Sequence, residues 1–340
     1  MELVEIEKIA QHLGASQVHT PEPLQSLWSG YGKIWRLPLD GLSFPSVIVK
    51  QINPPGGASG LESAAHPRGW GGTLSHQRKL YSYGVEMRFY EYLQQAPISR
   101  STPARVPEPL YLKESPAGWL FVLEDLDASG FAKRTSAPSQ QEVRACLRWL
   151  ARFHARHMEQ QPQGLWAQGN YWHLSTRPDE LRAMGDSPLK AAAASIDAKL
   201  KGARFQTWIH GDAKIANFCL PEDWLQEVEE EIGVAAVDFQ YVGAGAGIVD
   251  IAYFFSSIWN DEGCEKYVPE ALDYYFDALV QELPQWSQAD WQALEKEWRF
   301  LYPFAWADFL RFLEGWAPAH GKIHPYSQRL TAEALAKLSP

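Results

Sequence analysis

Cysteine and basic residues are scarce in this chain, and each shortage excludes a class of protein. Only three cysteines occur in 340 residues, Cys146, Cys219 and Cys264, far apart and without metal-ligand spacing. We therefore predict reduced thiols in a cytoplasmic protein rather than a disulfide framework or a zinc site. Acidic residues outnumber Lys and Arg by 41 to 31, giving a formal charge of −10, which argues against a nucleic-acid partner.

Long apolar runs are also missing. No stretch approaches the roughly 20 apolar residues that a membrane span needs. The first residues, MELVEIEKIAQHL, are acidic and amphipathic, unlike a signal peptide. Hydrophobic residues nevertheless make up 46% and charged residues 21%. We therefore expect a globular chain, long enough for two lobes, with no membrane partner and a monomeric or weakly dimeric state.

The stretch TWIHGDAKIANFCL, residues 207–220, carries polar side chains directly after a short apolar run. His210 and Asp212 follow the run, Asn217 comes next, and a later run, AAVDFQ, ends at Asp238. Polar groups at the ends of short apolar segments face solvent or a ligand. A carboxylate can accept a proton from a substrate hydroxyl, while an amide and a second carboxylate offer the hard oxygen ligands that suit magnesium on ATP phosphates.

The N-terminal third reads as short strands. Gly30 and Gly32 flank Tyr31 at a predicted turn between two of them. Glycines there would let backbone amides approach a phosphate, but an ordinary hairpin turn has the same composition. Lys50 closes the next alternating run, a position where a lysine is usually solvated.

Residues 53–78 are rich in Gly, Pro and Ser and show no apolar period. They are predicted to form a mobile loop, either a flap over a ligand or a tolerated surface insertion. The following segment, SYGVEMRFYEYLQQ, has helical spacing through Val85, Phe89 and Leu93. Glu86 lies on the adjacent stripe, where it can turn toward the sheet that carries Lys50 or remain solvated.

Helical patterns dominate after the strand GWLFVLEDL. Ser139 and Glu142 form a capping-box signature at the start of the first of these helices. His154 and His157 lie on that helix, and we interpret them as core and surface histidines rather than metal ligands. Asp250 stands at the start of a later helix, where it is predicted to cap or brace the HGD loop.

As a set, these motifs resemble those of a known family. HGD with Asn217 five residues beyond Asp212, followed by VDFQ around Asp238, resembles the catalytic and metal-binding loops of the protein-kinase-like small-molecule kinases. This superfamily includes the aminoglycoside phosphotransferases and choline kinases. The stretches VDFQ, DIAYFF, FVLEDL and VEMRFY look most like its ecdysteroid-kinase-like branch.

The resemblance implies an α+β fold with two lobes, a small antiparallel sheet lobe and a larger, mainly helical lobe. Residues 1–123 would form the nucleotide-binding lobe, 124–128 the hinge, and 129–340 the catalytic and acceptor-binding lobe. By the same resemblance the catalytic residues would be Asp212, as the base, and Lys214, which could touch the γ-phosphate during transfer. Asn217 and Asp238 would hold Mg²⁺.

Six further residues would bind ATP by this resemblance: Lys50, Glu86, Gly30, Gly32, Glu124 and Leu126. The lysine, held by the glutamate, would reach the α- and β-phosphates. The glycines would belong to the turn that covers the phosphates, and the last two residues would present hinge backbone to adenine.

Three functions compete at this stage. The first is an ATP-dependent phosphotransferase whose acceptor is a hydroxyl of a small molecule. The second is a catalytically silent pseudokinase that binds nucleotide or a partner, and the third is a protein kinase, although GAGAGIVDIAYFF leaves no room for an activation segment. The acceptor stays open: Trp166, Trp172, Trp306 and Asp308 could surround a cation, or could pack between helices.

Overall fold

The computed structural model describes residues 3–27, 30–54, 73–95, 104–222 and 233–338. Their helices are α1 (Leu3–Leu13), α2 (Thr73–Gln95), α3 (Gln140–Arg156), α4 (Pro178–Ala183), α5 (Pro188–Lys201), α6 (Ile248–Ile258), α7 (Asp261–Gln281), α8 (Gln288–Trp316) and α9 (Pro325–Leu338). Their strands are β1 (Gln17–Val18), β2 (Glu22–Ser26), β3 (Gly32–Asp40), β4 (Ser46–Ile52), β5 (Pro109–Ser115), β6 (Gly118–Glu124), β7 (Thr207–Ile209), β8 (Phe218–Cys219), β9 (Ala235–Ala236) and β10 (Gly243–Gly245).

The first lobe is an antiparallel sheet in the order β1-β3-β4-β6-β5, with β2 also paired to β3. The two faces of β4 differ because side chains alternate along a strand. Val47 and Val49 pack on one face with Ile9 of α1, whereas Lys50 points to the other face, which α2 covers. The sheet therefore delivers one buried lysine to the side that faces α2.

Helix α2 begins earlier than the loop prediction allowed. Residues 73–78, assigned above to the loop, form the first turns of α2, so that part of the prediction is wrong; residues 55–72 lie outside the described part of the chain. No glycine or proline follows Gly72 until Gly84, so nothing in this segment interrupts a helix. Contacts with the second lobe hold the early turns, since Arg78 Nη1 donates to the Thr176 carbonyl at 2.8 Å.

The second lobe consists mainly of helices around an aromatic core. Helix α3 starts with the predicted capping box: the Glu142 N–H donates to Ser139 Oγ at 3.3 Å, and the Ser139 N–H donates to Glu142 Oε2 at 2.7 Å. The predicted α+β architecture of a sheet lobe and a larger helical lobe is confirmed. Within the described ranges, no helix combines the length and apolar character needed to cross a membrane.

Arg105 ties the two lobes together behind the cleft. Its carbonyl accepts hydrogen bonds from the Ala236 N–H at 3.1 Å and from Trp149 Nε1 at 2.8 Å, both in the helical lobe. Its guanidinium pairs with the carboxylate of Glu124, the last residue of β6. The same carboxylate accepts from the Glu108 N–H at 3.1 Å, so the end of the central sheet is anchored to the helical lobe.

Candidate active site

Strand β7 delivers the HGD sequence into a tight turn. Gly211 has φ of +78°, and a Cβ built there would lie 2.1 Å from the Tyr241 carbonyl oxygen. Only glycine meets both the left-handed backbone and this close approach. Tyr241 lies just before strand β10, which pairs with β7. The pairing of the two strands therefore fixes the direction in which Asp212 leaves the turn.

Asp250 braces the turn from α6, as predicted. Its Oδ2 accepts from the His210 N–H at 2.6 Å, and its Oδ1 accepts from the Gly211 N–H at 3.0 Å. His154 Nε2 lies 3.2 Å from Oδ2, and His154 Nδ1 lies 2.8 Å from the Tyr275 hydroxyl. His154 is thus a core residue that supports the brace.

The two oxygens of the Asp212 carboxylate have different surroundings. Oδ2 accepts from Lys214 Nζ at 2.8 Å and from Asn217 Nδ2 at 3.1 Å. Oδ1 is buried and has no hydrogen-bond partner among the described residues. A buried acceptor without a partner is costly, so this oxygen is the one available to a group from outside the chain.

The second predicted loop lies directly against the first. Strands β8 and β9 pair antiparallel, and the Val237 N–H donates to the Asn217 carbonyl at 2.9 Å. His210 also joins the loops: its Nδ1 accepts from the Asp212 N–H at 3.2 Å, which leaves Nε2 to donate to the Val237 carbonyl at 3.0 Å. Asn217 and Asp238 therefore stand on neighbouring backbones beside Asp212.

Asp238 has a left-handed backbone, with φ of 71°, which is uncommon outside glycine. Gln240 Nε2 donates to Asp238 Oδ1 at 2.8 Å, and Gln240 Oε1 accepts from Ser82 Oγ on α2 at 3.3 Å. Phe239, between them, stacks on Phe89 of α2 with ring centroids 4.1 Å apart. The loop that presents Asp238 is thereby packed onto α2.

Lys50 and Glu86 form a buried ion pair between sheet and helix. Lys50 Nζ lies 2.6 Å from Glu86 Oε2, and the two residues are only 6% and 2% exposed. Burial raises the pKa of Glu86 to about 6, and Asp238 adds to the rise while Lys50 opposes it. Burial also raises the pKa of Asp212; Lys214 opposes this and Asp238 reinforces it. Acidic groups thus repel one another across one small site.

The predicted glycine turn joins β2 to β3, and residues 28 and 29 within it lie outside the described ranges. Gly30 has φ of +71° and open space around its Cβ position. Glycine is therefore favoured here by the left-handed backbone conformation and not by close packing. Gly32 is required for packing, because a Cβ there would lie 2.0 Å from the Gln51 carbonyl oxygen.

The predicted adenine-contacting residues lie at the end of β6 and just beyond it. Glu124 ends β6 with its carboxylate held by Arg105 and by Ser129 Oγ, the latter at 2.6 Å. Leu126 is buried, and its carbonyl accepts from the Phe131 N–H at 2.8 Å. In the described chain the Leu126 N–H has no hydrogen-bond partner.

A comparison with family models now identifies the chain's relatives. The model of the APH phosphotransferase enzyme family matches residues 77–296, more than half of the chain. The chain belongs to this family. The family assignment confirms the prediction of a phosphotransferase enzyme from the wider superfamily. No curated protein matched the sequence.

Several solved kinase structures are similar to this APH-family chain. The amicoumacin kinase hAmiN, solved with AMP-PNP, Ca²⁺ and Ami, has 15% identity and a TM-score of 0.55, covering 99% of this chain and 93% of its own. The choline kinase LicA from Streptococcus pneumoniae has 13% identity and a TM-score of 0.49, with 98% of each chain covered. The aminoglycoside phosphotransferase APH(3'')-Id from Streptomyces rimosus has 14% identity and a TM-score of 0.47, covering 89% of this chain and 99% of its own. At such identities the first likeness supports the protein-kinase-like fold alone.

The aromatic residues considered for a cation site are mostly packed in this phosphotransferase. Trp172, Trp306 and Asp308 are each 1% exposed. Asp308 Oδ1 accepts from Arg311 Nε at 2.9 Å, so its charge is already compensated. Trp166 is only half-buried, and its Nε1 donates to the Gln240 carbonyl at 2.8 Å.

The sequence pattern did not single out three residues that face the Asp212 region. Tyr171 and Tyr253 lie close together, with ring centroids 5.6 Å apart, and burial, with a contribution from Asp212, raises the pKa of both hydroxyls. Lys322 Nζ lies 5.0 Å from the centroid of the Tyr253 ring. The two tyrosines have apolar sequence neighbours that are typical of a core. Lys322 follows α8 in a segment without any motif. No local sequence pattern therefore indicated that these residues lie near Asp212.

Proposed function

We propose that this APH-family chain is an ATP-dependent kinase that transfers the γ-phosphoryl group to a hydroxyl of a small molecule. The observation that carries the proposal is the Asp212 carboxylate, with one oxygen held by Lys214 and Asn217 and the other buried without a partner. An acceptor hydroxyl that donates to the second oxygen is held for deprotonation, and burial favours proton uptake because it raises the pKa of Asp212.

The reaction balances within this arrangement. The hydroxyl proton passes to Asp212 Oδ1, and the acceptor oxygen forms a bond to the γ-phosphorus. The bond from that phosphorus to the β,γ-bridging oxygen then breaks, which releases ADP. Lys214, at 2.8 Å from the carboxylate, is close enough to stabilise the negative charge on the group in transfer.

Nucleotide binding is assigned to the groups between the lobes. Lys50, oriented by Glu86, would contact the α- and β-phosphates, and the turn that holds Gly30 and Gly32 would cover them. The Leu126 N–H, which is two residues after Glu124 and has no hydrogen-bond partner in the described chain, would donate to adenine. We retain the lobe boundaries 1–123, 124–128 and 129–340, the ecdysteroid-kinase-like branch and the cytoplasmic location as predictions.

The residues present fit a magnesium ion. The described residues contain no cluster of three or more His, Cys, Asp or Glu side chains that could hold a metal alone, so nucleotide oxygens would complete the ligand set, as Mg²⁺ prefers. Both hydrogen bonds of the Asn217 amide use its nitrogen, which leaves its oxygen for the ion beside Asp238. When bound, Mg²⁺ would offset phosphate charge.

A small acceptor is favoured over a protein. Between the end of β10 and the start of α6 lie only residues 246 and 247, so the segment after Asp238 enters the helical core at once. Protein kinases need an activation segment at this point to order and bind a peptide. The predicted protein-kinase alternative is therefore disfavoured.

Transfer of labelled γ-phosphate from ATP to a panel of hydroxylated metabolites tests the proposal, after thermal-shift measurements with and without Mg²⁺ select compounds that stabilise the protein. We expect a stabilisation by ATP that requires Mg²⁺ and is lost in Asp238→Ala. ATP binding that is equal with and without Mg²⁺, together with no transfer to any alcohol, would instead establish the pseudokinase alternative.

A further inference from the structure

Lys322 carries an ammonium group into the region of the catalytic base. It follows α8, and its Nζ lies 5.0 Å from the Tyr253 ring centroid and 5.4 Å from that of Phe309. Its hydrogen-bond partner among the described residues is Ser256 Oγ, at 3.3 Å. Two aromatic faces and one neutral hydroxyl thus surround the charge.

This cation has no acidic partner in the described chain, unlike the other lysines of the site. Lys50 lies 2.6 Å from Glu86 and Lys214 lies 2.8 Å from Asp212, whereas Lys322 forms no ion pair. Burial lowers the pKa of Lys322 to about 8, although Asp212 opposes the shift. A largely enclosed charge without a counter-ion is costly, so a ligand that supplies one gains the interaction.

Tyr253 connects this ammonium to the reacting position. Lys322 lies over its ring, and its hydroxyl is close enough to Asp212 for the two groups to affect each other's ionisation. One tyrosine side chain therefore borders both groups, with Lys322 at its ring and Asp212 at its hydroxyl. A molecule that contacts both needs only a few atoms between its hydroxyl and its anionic group.

The buried acids Asp308 and Glu180 of the helical lobe do not offer a site for a cationic acceptor. Asp308 is compensated by Arg311 at 2.9 Å, and Glu180 by Arg177 at 3.2 Å. The Arg177 guanidinium also lies 5.7 Å from the ring centroid of Tyr171. Once these pairs are formed, Lys322 remains as a cation that no described acid pairs with, and such a cation attracts anions and repels amines.

We propose that Lys322 binds a carboxylate of the acceptor, so that the substrate is a small hydroxy acid whose hydroxyl donates to Asp212 Oδ1. This inference rests on the proposed function. One ammonium suits a monoanion, because the neighbouring Ser256 hydroxyl already donates to the Tyr253 carbonyl at 2.7 Å and a phosphate dianion needs more donors than one ammonium. The aromatic rings of Tyr253 and Phe309 would enclose the short carbon chain between the two polar groups.

Chemical labelling of Lys322 tests the binding step without requiring turnover. The protein with Mg²⁺ and AMP-PNP is treated with an amine-acylating succinimidyl ester, and labelling is measured by peptide mass spectrometry. The probes are 3-hydroxypropionate, 1,3-propanediol and choline, three short alcohols with negative, zero and positive charge. We expect 3-hydroxypropionate alone to protect Lys322, with no effect on the exposed Lys199. Equal protection by all three probes, or by none, would overturn the inference.

Kinetics with the same three alcohols separate this inference from the proposed function. In the parent, kcat/KM is expected to be highest for the acid. Lys322→Met should lower that value roughly 10- to 100-fold, as loss of a charged hydrogen bond does, while Lys322→Arg retains part of it and Lys199→Met changes nothing. A KM effect on ATP alone would assign Lys322 to the nucleotide and overturn the inference, as would preference for choline. Selective protection of Lys322 without transfer to any alcohol would overturn the proposed function but not the anion site.

Discussion

The Asp250 carboxylate accepts a hydrogen bond from the backbone N–H of His210 at 2.6 Å. The contact joins the start of α6 to the turn that carries the proposed base, across 40 residues of sequence. Because Gly211 donates to the second oxygen, one side chain holds two successive peptide groups of the turn. The geometry of the site thus depends on a residue that does not reach substrate.

Asp250→Ala should therefore impair both folding and transfer. Two buried N–H groups and His154 would lose their acceptor, and a buried group left without its hydrogen-bond partner costs about 1 to 3 kcal/mol. Urea unfolding measures the stability, and kcat measures the displacement of Asp212. Asp250→Asn is the matched variant, because its one remaining oxygen can satisfy one N–H; it should fall between the parent and Asp250→Ala. Equal values for all three proteins would refute the bracing role.

Asp212→Asn should abolish most transfer while nucleotide still binds. The amide keeps the shape of the side chain but cannot take up the hydroxyl proton, and loss of a general base lowers kcat by about 100- to 10,000-fold. Isothermal titration with AMP-PNP and Mg²⁺ should give nearly the parent affinity. Asp186→Asn, at an exposed position, controls for the loss of one negative charge. Parent-like turnover in Asp212→Asn would remove this residue from the mechanism.

The ion pair of Lys50 with Glu86 should make the KM for ATP depend on pH. Burial raises the pKa of Glu86 from 4.5 to about 6. The folded state holds the Glu86 proton more tightly than the unfolded state does. Protonation of Glu86 therefore stabilises the fold fully below about pH 4.5, and this stabilisation is lost as pH rises through about 6. ATP binding should instead improve as pH rises, because Glu86 carries the negative charge that orients Lys50 only above that pKa.

We expect the KM for ATP to fall as pH rises from about 5 to about 7. Glu86→Gln should lack this change and should resemble the parent at the acidic end. Steady-state kinetics across that range measure both proteins. The variant also separates Glu86 from Asp212, whose protonation would lower kcat in both. A KM for ATP that changes with pH equally in parent and variant would count against the role of the pair.

Gly211→Ala should destabilise the protein, whereas the same substitution at Gly185 should not. The left-handed backbone costs a non-glycine residue about 1 to 3 kcal/mol, and the new Cβ would collide with the Tyr241 carbonyl, at 2.1 Å. Gly185→Ala is the control, since no atom lies within 4 Å of its Cβ position and surface changes stay within about 0.5 kcal/mol. Thermal unfolding compares them, and equal melting temperatures would contradict the steric argument.

The parts of the site that follow from local pattern could be predicted from the sequence. HGD, Asn217 and Asp238 stand at the ends of short apolar runs, and the alternation of β4 together with the helical spacing of α2 indicated that Lys50 and Glu86 could meet. The structure brings these side chains together. Their roles in catalysis and nucleotide binding stay predictions until the variants are measured.

The parts that depend on distant packing could not be predicted. Lys322 follows α8 in the chain and reaches the site through its contacts with Tyr253 and Ser256, which lie 69 and 66 residues away in sequence. The early start of α2 depends on contacts such as Arg78 with Thr176. Asp308 was attractive as a free acid because a sequence does not reveal that Arg311, one helical turn later, neutralises it.

The ion pair between Arg105 and Glu124 limits how the two lobes can rotate relative to each other. The Arg105 carbonyl accepts hydrogen bonds from Trp149 and Ala236 of the helical lobe, while its guanidinium holds the end of β6. A rotation that keeps these contacts has its axis beside Glu124, and displacement grows with distance from an axis. Gly32 pairs with Ile52, and Ile52 with Trp119, at the opposite end of the same strands. We therefore expect the sheet lobe to rotate about the Glu124 end of β6 with the Gly32 end of β3 moving furthest, so that nucleotide would enter at that end.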